Sequence, residues 1–148
     1  ESRKMGKPII GICFGHQIMA STFGGEVRRS SRDDFVGIKK FVHSDGHIFN
    51  RFVWHHDQVT RPPDCATVVA SSDYCPFASL EYNFPAFSVQ YHPEFEKEYF
   101  EKLLLAGDGI FLSSKQTQRA LKEISRYKVP RDADLKRVRR LLSHNFLD

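Results

Sequence analysis

Short apolar runs along the first two thirds of the chain predict a series of β-strands. The first run, Pro8 to Ile12, is almost continuously apolar and rich in isoleucine, which is typical of a buried strand. The last run, Ala86 to Tyr91, alternates large apolar residues with small or polar ones, and Pro93 stops it. The pattern between these two predicts five further strands: Glu26 to Ser30, Phe35 to Val42, His47 to Trp54, Ala66 to Ala70 and Ala78 to Tyr82.

Helical spacing of apolar residues follows the first strand and then dominates the last third of the chain. His16 to Phe23 predicts a helix that ends at Gly24-Gly25, a frequent helix stop. Later helices are predicted at Glu96 to Ala106, Lys115 to Arg126 and Asp132 to Ser143. One strand–helix unit, then strands, then helices indicate an α/β domain with one central sheet.

Composition and charge exclude several classes of protein. The chain has 148 residues, enough for one domain with a core, and a net charge of +4 that permits contact with nucleic acid without requiring it. The basic run Lys136 to Arg140 alternates with an apolar stripe rather than aromatic residues, so we expect no nucleic-acid partner. No apolar run approaches the roughly 18 residues of a membrane helix. The three cysteines are too few for a disulfide framework, so we expect a cytoplasmic protein.

The stretch Gly11-Ile12-Cys13-Phe14-Gly15 carries the strongest chemical signal. A strand that turns sharply into a helix strains its turn residue, and small neighbours make room for the turn. With cysteine at that turn, the sulfur lies at the amino end of the following helix, which favours the reactive thiolate. The N–H of Phe14 would then point at an oxyanion. The alternative is a small cysteine buried in a core strand.

A nucleophilic thiol needs a base, and His92 is the candidate because it follows the strand that ends at Tyr91. The carboxyl ends of strands in an open α/β sheet line the ligand crevice, so Cys13 and His92 would meet there. Glu94 could orient the imidazole of His92. The alternatives are a satisfied histidine at a strand end and an acid stabilised at the start of a helix.

Other polar residues give weaker signals. His55, His56 and Asp57 are predicted to lie on a loop, where His56 or Asp57 could touch substrate or the three could form a hydrogen-bond cluster. A zinc site built on the histidines and Cys65 matches no structural zinc spacing, so no metal is expected. Cys65 and Cys75 are interpreted as structural.

Two motifs together resemble the class I glutamine amidotransferases. "PIIGICFGHQ" resembles the family's G-x-C-x-G-x-Q signature, and "FSVQYHPEF" resembles its later H-P-E signature. "VWHHDQVTRPP" is similar to the family's loop before its late strands. The similarity spans residues 7 to about 106, and the branch that includes the amidotransferase half of GMP synthase is the most similar.

The resemblance implies an open, mostly parallel sheet with flanking helices, as in flavodoxin-like folds. It implies that Cys13 attacks the side-chain amide of glutamine or another γ-glutamyl amide, that His92 moves the proton and that Glu94 orients His92. Gln17, Phe14, Gly15 and His56 would bind the substrate. No metal or organic cofactor is implied, and the ammonia could pass to a synthase partner.

The chain also departs from the family, whose members carry further strands and a glycine-rich loop before the cysteine strand. We therefore expect one domain, with a catalytic core at 1–110 and C-terminal helices at 111–148, that forms part of a longer protein. Two alternatives stay open. The same triad could hydrolyse γ-glutamyl peptides, or the chain could be a non-catalytic module that kept the fold.

Overall fold

A computed structural model describes residues 6–32 and 35–127, and within these ranges the chain forms eight strands and three helices. The strands are β1 (Ile9–Ile12), β2 (Glu26–Arg29), β3 (Val36–His43), β4 (Ile48–Trp54), β5 (Asp57–Arg61), β6 (Ala66–Ser71), β7 (Ser79–Tyr82) and β8 (Ala86–Val89). The helices are α1 (Phe14–Thr22), α2 (Lys97–Gly107) and α3 (Ser114–Ser125).

The central sheet has six strands in the order β1-β8-β7-β6-β3-β4. Only the pairing of β1 with β8 is parallel among these strands, and the other four pairings are antiparallel. The α/β class is thus confirmed, but the sheet is mixed rather than mostly parallel. The reason is connectivity: most neighbouring strands are joined by short loops, which favour antiparallel hairpins, whereas a parallel pair needs a long crossover.

The sequence pattern located most elements to within one or two residues, but it missed β5. That segment, predicted as a loop, pairs antiparallel with β2 in a separate two-stranded ribbon. It carries one buried apolar residue, Val59, between polar neighbours, so neither alternation nor an apolar run marks it as a strand. The helix predicted at residues 132–143 lies outside the described residues.

Two apolar clusters cover opposite faces of the β3–β4 hairpin. On one face, Phe52 packs with Phe100 and Leu104 of α2 and with Ile124 of α3, all at most 2% exposed. The other face buries Phe41 and its aromatic neighbours. A third cluster packs α1 against β7 and the ribbon. The apolar side chains buried in these clusters hold β1, β8 and α1 in place around the carboxyl ends of the two strands.

A buried polar network ties α1 to β8. His16 is fully buried, with Nδ1 2.8 Å from the Ser88 hydroxyl and Nε2 3.0 Å from the Phe77 carbonyl. Because a carbonyl can only accept, Nε2 carries the proton and Nδ1 accepts from Ser88. Burial lowers the pKa of His16 to about 4, although the Phe77 carbonyl opposes this change. The imidazole is therefore neutral at physiological pH.

We expect this histidine to make the fold sensitive to acid. The folded-state pKa of His16 is about 4, below the ordinary 6.5. The contribution of its neutral form to the free energy of unfolding is therefore complete above pH 6.5 and is lost as pH falls towards 4. The pH dependence of the free energy of unfolding is measured by urea unfolding of the native chain and of His16→Gln at pH 7 and pH 4.5. The native chain should lose about 2 kcal/mol more than the variant between these two pH values. Equal losses would contradict it.

Candidate active site

Cys13 occupies a strained turn between β1 and α1. Its φ of 51° and ψ of −102° make it the one non-glycine residue with positive φ within the described ranges. Such a conformation costs on the order of 1–3 kcal/mol and persists only where the surroundings enforce it. The Cys13 N–H donates to the Val89 carbonyl at 2.8 Å, so β8 holds the turn in place. The sharp strand-to-helix turn predicted from the sequence is present.

The two glycines of the motif differ in their surroundings. A Cβ at Gly11 would lie 2.6 Å from the Met19 sulfur and 2.8 Å from the Gly15 backbone, so α1 can approach β1 only if this position is glycine. A Cβ at Gly15 would meet nothing within 4 Å. The expectation that both glycines relieve crowding is therefore wrong for Gly15, which instead leaves open space beside the start of α1.

Parallel pairing brings Cys13 and His92 to the same edge of the sheet. Ile12 lies opposite Val89 in the register, so β1 and β8 end side by side. Cys13 follows β1 directly and His92 lies three residues beyond β8. The His92 N–H donates to the Phe52 carbonyl at 2.9 Å, which fixes this residue against β4.

The imidazole of His92 lies between a sulfur and a carboxylate. Its Nδ1 is 2.6 Å from Oε1 of Glu94, and Cys13 lies close enough to the ring to raise its pKa. The ring stacks on Phe95 with centroids 4.0 Å apart and an interplanar angle of 5°. Since Nδ1 is used by Glu94, Nε2 remains for the sulfur. Cysteine, histidine and glutamate are thus brought together in the order expected from the sequence.

Glu94 does not cap a helix. The N-cap of α2 is Glu96, so Glu94 lies before the helix, with its carboxylate bonded to His92. Its side chain is 44% exposed, so the contact between the two residues is open to water on one side. The alternative of a helix-start acid is not the arrangement seen.

Opposing effects set the charge of His92. Burial disfavours its protonated form, but hydrogen bonds and negative charge from Cys13 and Glu94 outweigh burial and raise the pKa of His92 to about 9. The imidazolium is therefore the main form at neutral pH. The proton of this imidazolium is available for a leaving group.

Gln17 is buried and engaged within the protein. Its amide nitrogen donates to the Asp57 carbonyl at 2.7 Å and to Oε1 of Gln90 at 3.2 Å. Gln90, in turn, places its amide nitrogen 3.8 Å from the Cys13 sulfur. Sequence reasoning missed Gln90. The signal available was a fully buried polar position in the strand-like run that leads to His92.

The neighbouring histidines have different surroundings. His55 is buried, with Nδ1 2.9 Å from the Asp57 carbonyl and Nε2 3.4 Å from the Tyr74 hydroxyl. Burial, opposed by the Asp57 carbonyl, lowers its pKa to about 4. His56 stacks on Phe35 with centroids 3.7 Å apart and lines a cleft of about 400 Å³ with Trp54 and the end of α2. His55 therefore takes part in the hydrogen-bond cluster, whereas His56 is accessible from the cleft.

The remaining cysteines lie away from this chemistry. Cys75 is fully buried, and burial raises its pKa to about 12, which fits the structural role expected for it. Cys65 is partly buried and unbonded to other cysteines. Across residues 6–32 and 35–127, no group of three or more His, Cys, Asp or Glu side chains is arranged so that it could hold a metal ion. No helix in that same part of the chain is long and apolar enough to cross a membrane.

Comparison with known proteins places the chain in one family. The family model described as "Glutamine amidotransferase class-I" matches residues 1–110. A GMP synthase [glutamine-hydrolyzing] subunit of Methanococcus maripaludis is 34% identical, over 66% of this chain and 56% of its own length. The GMP synthase [glutamine-hydrolyzing] of Aeropyrum pernix is 43% identical, over 62% of this chain and 19% of its own length.

Solved structures agree on the fold. A glutamine amidotransferase from Thermotoga maritima superposes with a TM-score of 0.74 at 23% identity, covering 97% of this chain and 64% of that one. A glutamine amido transferase from Methylobacillus flagellatus gives 0.71 at 20% identity, covering 95% and 59%.

The α/β fold of this domain, which carries Cys13 at a strained strand–helix turn, is thus shared with solved glutamine amidotransferases. The chain belongs to the class I glutamine amidotransferase family and is similar to glutamine-hydrolysing subunits of GMP synthases. It spans little more than half the length of the Methanococcus relative.

The contrast between the two glycines can be tested by paired substitutions. Gly11→Ala should destabilise the fold by about 1–3 kcal/mol, because its methyl group would overlap backbone atoms of α1. Gly15→Ala should leave the unfolding free energy within about 0.5 kcal/mol or raise it slightly, because alanine favours the helix. Urea denaturation measures both variants, and losses of similar size would refute the contrast.

Proposed function

We propose that this chain carries a glutamine-hydrolysing site that uses Cys13, His92 and Glu94 as a catalytic triad. The observation that supports it best is the place of His92, which is bonded to Glu94 and lies beside the cysteine of a strained turn, whose influence raises its pKa. Membership of the amidotransferase family gives the amide of glutamine as the substrate to test.

In the first step the Cys13 sulfur attacks the side-chain amide carbon of glutamine, and the carbonyl oxygen takes up negative charge. Phe14 is the first residue of α1, where a backbone N–H has no acceptor within the helix. That N–H would stabilise the oxyanion. The Phe14 side chain is 68% exposed and plays no part in holding the turn.

Collapse of the tetrahedral intermediate breaks the carbon–nitrogen bond. The leaving nitrogen takes the proton of His92 and departs as ammonia, leaving a γ-glutamyl thioester on Cys13. Water then attacks the thioester while neutral His92 accepts a proton from it. The carbon–sulfur bond breaks, and glutamate leaves. Glu94 holds the ring and stabilises its charged form throughout.

The substrate residues expected from the sequence would act in different ways. Gly15 leaves room for glutamine to approach the backbone of the turn. The amide nitrogen of Gln17 is already bonded to Asp57 and Gln90, so any direct contact with glutamine would come from its oxygen. His56 would contact substrate or an ammonia acceptor from the cleft beside Trp54.

We further propose that ammonia passes to a synthase partner. The relatives that are named as subunits of GMP synthase support this, since a named subunit implies at least one other in the same enzyme. No observation favours a γ-glutamyl peptide over glutamine, so the peptide is an outcome of the test below.

Ammonia release from glutamine tests the catalytic role of Cys13. Cys13→Ala should lose at least roughly 1,000-fold in rate, since removal of a triad nucleophile has effects of this size or larger. Cys65→Ala, which removes a partly buried cysteine, is the matched control and should keep the native rate. The assay is run on the chain alone and in the presence of the nucleotide-synthesising part of a GMP synthase.

Two other results would redirect the proposal. Release only from a γ-glutamyl dipeptide would identify a peptide hydrolase that uses the same triad. If no substrate reacts, and a thiol-directed glutamine analogue fails to label Cys13, the chain is a non-catalytic module.

The charge of His92 predicts the alkaline limb of the pH–rate profile. The pKa of His92 is raised to about 9, so its acid form is present below that pH and is lost as pH rises through it. Glu94→Gln removes one of the groups that raise this pKa and should move the limb down by about one unit. Glu96→Gln removes an exposed carboxylate from the α2 N-cap and should leave the limb in place. Equal shifts would exclude a specific effect of Glu94.

A further inference from the structure

Gln90 is a buried amide that touches the sulfur of Cys13. It is fully excluded from solvent, one residue beyond β8. Its Nε2 lies 3.8 Å from the sulfur, and its Oε1 accepts from Gln17 at 3.2 Å. Its backbone N–H donates to the Ala78 carbonyl at 2.8 Å. Both ends of the side chain, and its backbone, are therefore held.

A backbone carbonyl fixes which way these amides point. The Asp57 carbonyl can only accept, so the atom of Gln17 that lies 2.7 Å away must be its nitrogen. The second hydrogen of that nitrogen reaches Gln90, whose nearer atom must then be the oxygen. The NH₂ group of Gln90 is left facing Cys13. His55 donates to the same carbonyl from the other side at 2.9 Å.

The two forms of the sulfur need different partners. As a thiol, Cys13 can donate to the Trp54 carbonyl, which lies 3.7 Å away. A thiolate cannot donate, and the negative end of that carbonyl would repel it. An anionic sulfur in this site therefore needs donors, and a buried unpaired anion would be costly. The NH₂ group of Gln90 is a donor within reach of the sulfur, and the imidazolium of His92 supplies positive charge beside it.

We propose that Gln90 is a catalytic residue, whose amide donates to the thiolate of Cys13, and that Gln17 is a positioning residue that acts through Gln90. The inference rests on the proposed role of Cys13 as the nucleophile. It gives the two glutamines a task inside the protein, beside any contact that the Gln17 oxygen makes with substrate. It makes the thiolate depend on the Gln90 amide and on the charge of His92, which follow the same strand.

The pH dependence of Cys13 alkylation tests this directly. Iodoacetamide reacts with the thiolate, and peptide mass spectrometry separates Cys13 from the other two cysteines. Gln90→Met keeps the length of the side chain but removes its N–H groups. We expect the pH midpoint of alkylation to rise by about one unit, with a roughly tenfold lower rate at pH 7.

Thr117→Val is the matched control for loss of a buried polar group. Thr117 is 3% exposed and donates to Asp108 at 3.0 Å, so its loss should lower stability without moving the alkylation midpoint. Thermal melts follow folding in every variant. A midpoint in Gln90→Met that moves no more than in Thr117→Val would overturn the proposal.

A second variant tests the role given to Gln17 and covers the case in which Gln90→Met fails to fold. Gln17→Met should raise the midpoint less than Gln90→Met does. It removes the hydrogen bond that orients the Gln90 amide but leaves that amide in place. The double variant should match Gln90→Met alone, since Gln17 acts only through Gln90. Additive shifts, or an unchanged midpoint in Gln17→Met, would overturn this role.

Alkylation separates this inference from the proposed function. If the native chain releases no ammonia but the variants show the expected shifts in alkylation midpoint, hydrolysis is refuted and the donor role of Gln90 stands. If the native chain hydrolyses glutamine but the alkylation midpoints of the variants do not shift, the donor role of Gln90 is refuted and the proposed function stands.

Discussion

The parallel pairing of β1 with β8 is the constraint on which the site depends. It is the one parallel contact of the six-stranded sheet, and it joins segments more than seventy residues apart in the chain. Because both strands run in the same direction, the residues that leave them emerge at one edge. The bond from the Cys13 N–H to the Val89 carbonyl extends the ladder into the turn. The strain at Cys13 is therefore sustained by a contact with the strand that leads to His92.

Around that edge, the protein separates charged from neutral imidazoles by their surroundings. Burial keeps His16 and His55 neutral, with a pKa of about 4 in each, and both use carbonyl groups to fix their tautomers. His92 is also largely buried, but it faces a sulfur and a carboxylate, and its pKa moves to about 9. Among these three imidazoles, partner charge thus outweighs burial at His92 alone. The positive charge of His92 in turn disfavours protonation of His55.

The sequence was informative where the signal is local. Gly11, Cys13, His92 and Glu94 could be located because a turn motif and a strand end are short-range patterns. The helix predicted at 115–126 from its apolar spacing is present as Ser114–Ser125. The antiparallel majority of the sheet and the ribbon strand Asp57–Arg61 could not, since both depend on which strands pair across the chain. The roles of Gln90 and the Asp57 carbonyl were invisible for the same reason. They arise from contacts between residues 40 to 77 positions apart.

That long-range network also explains why buried polar side chains are tolerated beneath the proposed nucleophile, Cys13. A buried amide whose donors are unmatched is costly, and a thiolate without donors is more so. The amides are linked in series from the Asp57 carbonyl to the sulfur, so each amide satisfies the next, and the series ends at Cys13. A backbone carbonyl cannot titrate or flip, so the orientation of the last N–H is set by the fold itself. The proposed role of Gln90 therefore couples the position of β5 beside α1 to the charge that Cys13 carries.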